Sequence, residues 1–141
     1  PAPAERAELL HRLGRAEATL RDPSSIGHLR EAAESTADPA RALDIFLELI
    51  DVLAIAGLWR ETLETAEAAL ARFTGSDLPG VLDLEAFSAA FRAFDPARVG
   101  DYDRDVPRLR ELVALPRERG PIARWADWLV TAAKTLGVSL R

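Results

Sequence analysis

The stretch FLELIDVLAIAGLWRETLETAEAAL, residues 46–70, governs how the chain is read. Phe46, Leu49 and Leu53 recur at three- and four-residue steps, the spacing of one helical face. Gly57 breaks the run, and a glycine just past a helix supplies a left-handed stop that other residues adopt only at a cost. Trp59 opens a second periodic run through Leu63, Ala66, Leu70 and Phe73, with Arg60, Glu61, Glu64 and Glu67 on the far side. Two amphipathic helices joined by so short a link lie antiparallel to each other. Upstream, Asp38 followed by Pro39 is a cap with proline at the first helical position, so the first of the two helices is expected over 39–56. Leu43, Phe46, Leu47, Ile50, Leu53 and Ala54 fill one broad side of it and Ile45, Leu49 and Val52 another. Such a helix needs cover on more than one face.

Working outward, Leu9, Leu10, Leu13, Ala16 and Leu20 predict an inward stripe on a first helix over about 4–20. Asp22-Pro23-Ser24-Ser25 is turn and cap chemistry, with Ser24 or Ser25 able to cap a second helix reaching Glu34, its Ile26, Leu29 and Ala33 inward. Beyond Thr74-Gly75-Ser76-Asp77, Leu84, Phe87, Phe91 and Phe94 make the stripe of a fifth helix halted by Asp95-Pro96. Residues 97–105 lose periodicity and read as an acidic loop with at most one short turn. A sixth helix is expected over 106–115, with Leu109, Leu112 and Val113 inward. A seventh is expected from Gly120-Pro121 to Gly137, with Ile122, Trp125, Leu129, Val130 and Leu136 at helical spacing. The expectation is an all-α chain of about seven helices in an antiparallel helix-pair array. Residues 1–75 form two helix pairs and 76–141 less regular helices packed on the same single domain.

Composition narrows the function. Twenty-three acids against 18 bases leave a net charge of -5, which speaks against a surface built to grip phosphate backbones. Cysteine is absent, which removes disulfides and thiolate chemistry together. The apolar run over 40–57 is interrupted by Asp44, Glu48 and Asp51, so it reads as a buried helix and not a membrane span. The opening residues lack the basic region and apolar core of a signal peptide, making a cytoplasmic setting the expectation. Methionine is absent even at Pro1, and the expectation is a trimmed first residue or a piece cut from something longer.

Phe46, Leu49, Leu53, Gly57, Trp59, Ala66, Ala69 and Leu70 together resemble a tetratricopeptide repeat, whose large residues fill the gap between paired helices while small ones allow close approach. The family prefers glycine at the helix contact and alanine early in the second helix, where this chain has Ile50 and Thr62. Leu10, Leu13, Gly14, Ile26, Ala33 and Pro39 make a poorer earlier copy. Leu13 and Leu49 stand 36 residues apart, close to the family's period of about 34. A more particular likeness lies in the order of short phrases: Leu13-Gly14-Arg15-Ala16-Glu17, Leu29-Arg30-Glu31-Ala32, Asp38-Pro39, Ala56-Gly57-Leu58-Trp59-Arg60-Glu61, Leu84-Glu85-Ala86 and Asp95-Pro96. This order resembles the helical middle region of large ATP-binding LuxR-type transcriptional regulators, abundant in actinobacteria. The resemblance implies an ATPase before this region and a helix-turn-helix after it. From Gly100 onward the match fades, and Pro79-Gly80 departs from it.

Motifs that carry chemistry are missing. No G-x-x-x-x-G-K-[ST] phosphate loop occurs, nor a G-x-S-x-G turn. His11 and His28 fall on different expected helices and belong to no recognisable ligand motif. Asp101, Asp103 and Asp105 alternate like the start of a calcium loop, but Val106 and Leu112 stand where its glycine and bidentate glutamate belong. They read as solvated acids beside Arg104, Arg108 or Arg110. Leu136-Gly137-Val138-Ser139 echoes a helix-turn-helix turn, and Gly137 as a helix stop explains the same letters. No enzyme, cofactor or metal site is expected, and neither nucleic acid nor membrane is an expected partner. What remains is surface. Under the tetratricopeptide alignment the concave face carries Glu8, His11 and Arg15 from the first pair, and Asp44, Leu47 and Asp51 from the second. Such a face takes a protein partner, either other domains of a parent chain or a peptide, with charges for steering and Leu47 for anchoring. A free-standing adaptor of the same fold, or a small helical ligand-binding domain or enzyme, are the alternatives.

Overall fold

The computed structural model of the chain describes residues 2–92, 95–98, 100, 102–114, 124, 125, 127, 128 and 131. Among the described residues six continuous α-helices run in order: α1 (Pro3–Thr19), α2 (Ser24–Ser35), α3 (Pro39–Ile55), α4 (Trp59–Phe73), α5 (Pro79–Arg92) and α6 (Tyr102–Ala114). The described residues contain no strand. Most of the expected seventh helix, with Phe94, Asp101 and Leu115, lies outside them. The chain divides into two compact units, Pro1–Phe73 and Thr74–Arg141.

In the first unit each helix packs on the next in sequence. Arg6 bonds Glu31 at 2.6 Å and Glu17 bonds His28 at 2.6 Å, so the start of α1 meets the end of α2 and the reverse. The two are antiparallel. Helices two apart run parallel, since Glu8 pairs with Arg41 and Arg15 lies 3.6 Å from Glu48, which matches α1 to α3 in one direction. Arg30 reaches Thr65 at 3.5 Å and Arg72 donates to the Ala33 carbonyl at 3.4 Å, matching α2 to α4 likewise.

The local chemistry repeats with the same shift. Pro3 and Pro39 stand at the first turns of α1 and α3. Proline is favoured there because its missing N–H is not needed. Both helices end on a left-handed residue, Arg21 (φ 56°) and Gly57 (φ 74°). Each pair is 36 residues apart. Asp38 accepts from the Arg41 N–H at 3.1 Å and so caps α3 as expected. At α2 the capping acceptor is Asp22, not a serine: its Oδ1 takes the Ser24 N–H at 2.9 Å, while Ser25 is buried. That backbone bond, followed by the Ser24 hydroxyl, holds the Asp22 carboxyl below its ordinary range.

The main correction concerns α1. The stripe of Leu9, Leu13, Ala16 and Leu20 was expected inward, but these residues are exposed; Leu10 is half-buried, and Ala7, His11 and Gly14 are buried instead. The cause is the approach of α2. A Cβ on Gly14 would lie 2.8 Å from Leu29 Cγ, so the helices meet where α1 has no side chain. Leucines cannot fit across that gap and turn outward.

Around α3 the core closes with Leu43, Ile45, Leu49, Ile50 and Leu53 almost fully buried. Phe46 meets Phe73 edge-on at 6.1 Å, and the Arg72 guanidinium sits over both rings. Ala66 and Ala69 are buried and Leu70 half-buried, but Trp59 is 51% exposed. The helical spacing puts Trp59 at the start of the inward stripe, and the structure corrects this. As the first residue of α4, directly after the Gly57-Leu58 turn, it lies at the rim of the helix pair.

In the second unit Pro79 opens α5, so Pro79-Gly80 is a helix start. Leu84, Phe87 and Phe91 are buried as read, with the last two rings stacked at 5.1 Å. α6 begins at Tyr102, earlier than expected, and takes Asp105 into a helix that also contains Pro107. Acids are favoured in a first helical turn by the helix dipole. Arg92 bonds Asp105 at 2.8 Å with both side chains 15% exposed, and Arg108 grips Glu85 at 2.8 and 3.3 Å. Asp105 is therefore a structural ion-pair partner, and α5 and α6 are antiparallel.

The Gly14 contact generates a paired prediction. Gly14→Ala should destabilise the chain by about 1–3 kcal/mol through overpacking against Leu29. Gly27→Ala, exposed in α2 with nothing within 4 Å of a new Cβ, should stabilise it by about 0.5–1 kcal/mol. Urea unfolding of the two variants measures both signs.

Candidate functional site

The six residues expected on a concave face fall on the paired helices α1 and α3. Glu8 is half-buried and pairs with Arg41. His11 is 8% exposed, its Nε2 lying 3.0 Å from Glu48 Oε2. A carboxylate only accepts, so Nε2 carries the hydrogen. Arg15 is exposed and approaches the same Glu48 oxygen at 3.6 Å. Asp44 is exposed, while Leu47 and Asp51 are half-buried. Asp44, Glu48 and Asp51 follow at steps of four and three, which puts them on one side of α3.

The structure thus joins Glu8, His11 and Arg15 to α3, but through Arg41 and Glu48, two residues absent from the expected set. Together they form a polar seam. The seam has a sequence signal: Glu8 and Arg41, like Arg15 and Glu48, are opposite charges 33 residues apart. That spacing acquires meaning once α1 and α3 are known to run parallel. His28 is likewise paired, with Glu17 across α1 and α2. Both imidazoles are therefore interhelical struts.

Chemically the face offers the exposed charges of Arg15 and Asp44 beside the half-buried Leu47. Within it a carboxylate and an imidazole do meet, yet the carboxylate is shared with Arg15. Among the described residues no three His, Cys, Asp or Glu side chains gather to hold a metal ion. No described helix is long and apolar enough to cross a membrane. An open depression lined by Ala4, Glu5, Glu8 and Leu9 lies at the amino end of α1. No family model, curated protein or solved structure matches the chain.

The strut role of His11 is measurable by a double-mutant cycle of His11→Ala and Glu48→Ala in the unfolding free energy. A half-buried hydrogen bond to a charged group predicts a coupling of about 1 kcal/mol. Additive effects of the two substitutions would remove the interaction from the account.

Proposed function

We propose that this chain is a non-catalytic helical-repeat module of tetratricopeptide-like type that presents its α1–α3 face to a protein partner. One observation carries the reading: the 36-residue repeat, in which Pro3 and Pro39 open equivalent helices, Arg21 and Gly57 end them, and the two helices run parallel. A two-pair array of this kind lines one face with its first helices, and such faces bind extended or helical segments. On this face the Arg41 and Glu48 pairs set the spacing of the helices. Asp44 and Asp51 supply steering charge beside Leu47, an apolar anchor. The shift of 36 and the isoleucine at position 50 mark a divergent member of the repeat class.

The ordered phrases from Leu13-Gly14 to Asp95-Pro96 support a placement within a LuxR-type regulator. There the module relays contact between an ATP-binding part and a DNA-binding part. The parent reading frame tests that placement, because a frame with neither a phosphate loop nor a helix-turn-helix overturns it. The face itself is tested by Asp44→Lys with Asp51→Lys, assayed for capture of the parent's ATP-binding part. Capture should fall roughly ten-fold or more, as reversing two steering charges at a rim predicts, with circular dichroism unchanged. Undiminished capture contradicts the assignment of this face.

A further inference from the structure

The side of α1 turned away from α2 and α3 carries Leu9, Leu13, Ala16 and Leu20. Leu9 is 55%, Leu13 45% and Leu20 80% exposed. Steps of four, three and four residues are those of a seam that packs against another helix. The internal repeat says what belongs there. The shift that places Pro3 on Pro39 and Arg21 on Gly57 places these four residues on Ile45, Leu49, Val52 and Ala56 of α3. Ile45 and Leu49 are fully buried. They lie between the α3 side bearing Glu48, turned to α1, and the side bearing Phe46, turned to Phe73 of α4. That is the side on which α2 packs. The α3 stripe, covered at Ile45 and Leu49, half-covered at Val52 and open only at its end, Ala56, therefore has an uncovered twin on α1.

We propose that this α1 face docks an amphipathic helix from a partner polypeptide, laid antiparallel to α1 as α2 lies on α3. The chemistry of that helix follows from both surfaces. Apart from Leu29, α2 turns small residues inward, with Ser25, Ala32, Ala33 and Thr36 buried, and leucines at 9, 13 and 20 need such a small-residue partner to interdigitate. Exposed Arg12, three positions past Leu9 at the edge of the stripe, calls for a carboxylate on the incoming flank. The surface is separate from the polar seam, whose Glu8, His11 and Arg15 occupy another side of α1. Loss of one therefore does not entail loss of the other.

The test titrates the isotope-labelled full chain with a blocked synthetic peptide of residues 22–37, DPSSIGHLREAAESTA, which carries the α2 surface. Amide shifts should concentrate at residues 9–20. Leu13→Asp should weaken binding roughly ten-fold or more, since it buries a carboxylate without a partner. Its helicity should be unchanged, because Leu13 is exposed in the chain. Arg12→Glu should weaken binding to the same acid-bearing peptide. Three outcomes overturn the proposal: no shifts at millimolar peptide, shifts centred on α3, or shifts at residues 9–20 that grow with the chain's own concentration and make the occupant a second copy.

Discussion

The first unit depends on the closeness with which α2 can approach α1. At Gly14 the backbone of α1 comes so near Leu29 that a single added carbon would stand 2.8 Å from Cγ. This contact sets the rotation of α1, and the rotation determines everything around it. It turns Ala7 and His11 inward, brings Glu8 and Arg15 to α3, and sends Leu9, Leu13 and Leu20 outward. In the second pair Ile50 occupies the position equivalent to Gly14. There the contact is built from large side chains, Phe46 against Phe73 beneath Arg72, with Ala66 and Ala69 giving room from the α4 side. The two pairs solve one packing problem with glycine on the first helix or alanine on the second.

Polar groups in this unit tie together helices that are not consecutive in the chain. The pairs Glu8 with Arg41, His11 with Glu48 and Arg30 with Thr65 all link helices two apart. Exposed ion pairs contribute little stability individually. Their consequence is geometric, because opposite charges at matched heights favour the parallel stagger over a slipped one. The faces of α1 and α3 are thereby held at a fixed separation.

The helices were legible where punctuation is chemical. Asp38-Pro39 and Gly57 mark α3 and α4 to within a residue, and the period of 36 is visible in the letters at Leu13 and Leu49. The orientation of α1 was not legible, because periodicity locates an apolar stripe without saying which neighbour covers it. The buried side, Ala7, His11 and Gly14, is small or polar and weighs little on any hydrophobic count. The start of α6 was hidden for a related reason: acids in a first turn look like a loop until the helix dipole is considered. Of the candidate residues, only the helices on which they lie, α1 and α3, were legible in the sequence. Their partners Arg41 and Glu48 were not, since a spacing of 33 has no meaning for a chain without known helix direction.

The parallel course of α1 and α3 is the claim on which the repeat and both proposed surfaces rest. A chain without cysteine accepts paired spin labels cleanly, at Thr19 with Ile55 and at Thr19 with Arg41. Parallel helices one repeat apart place the first pair closer than the second by about 10–15 Å, from a rise of about 1.5 Å per residue and a normal interhelical gap. Equal separations, or the reverse order, would contradict the account.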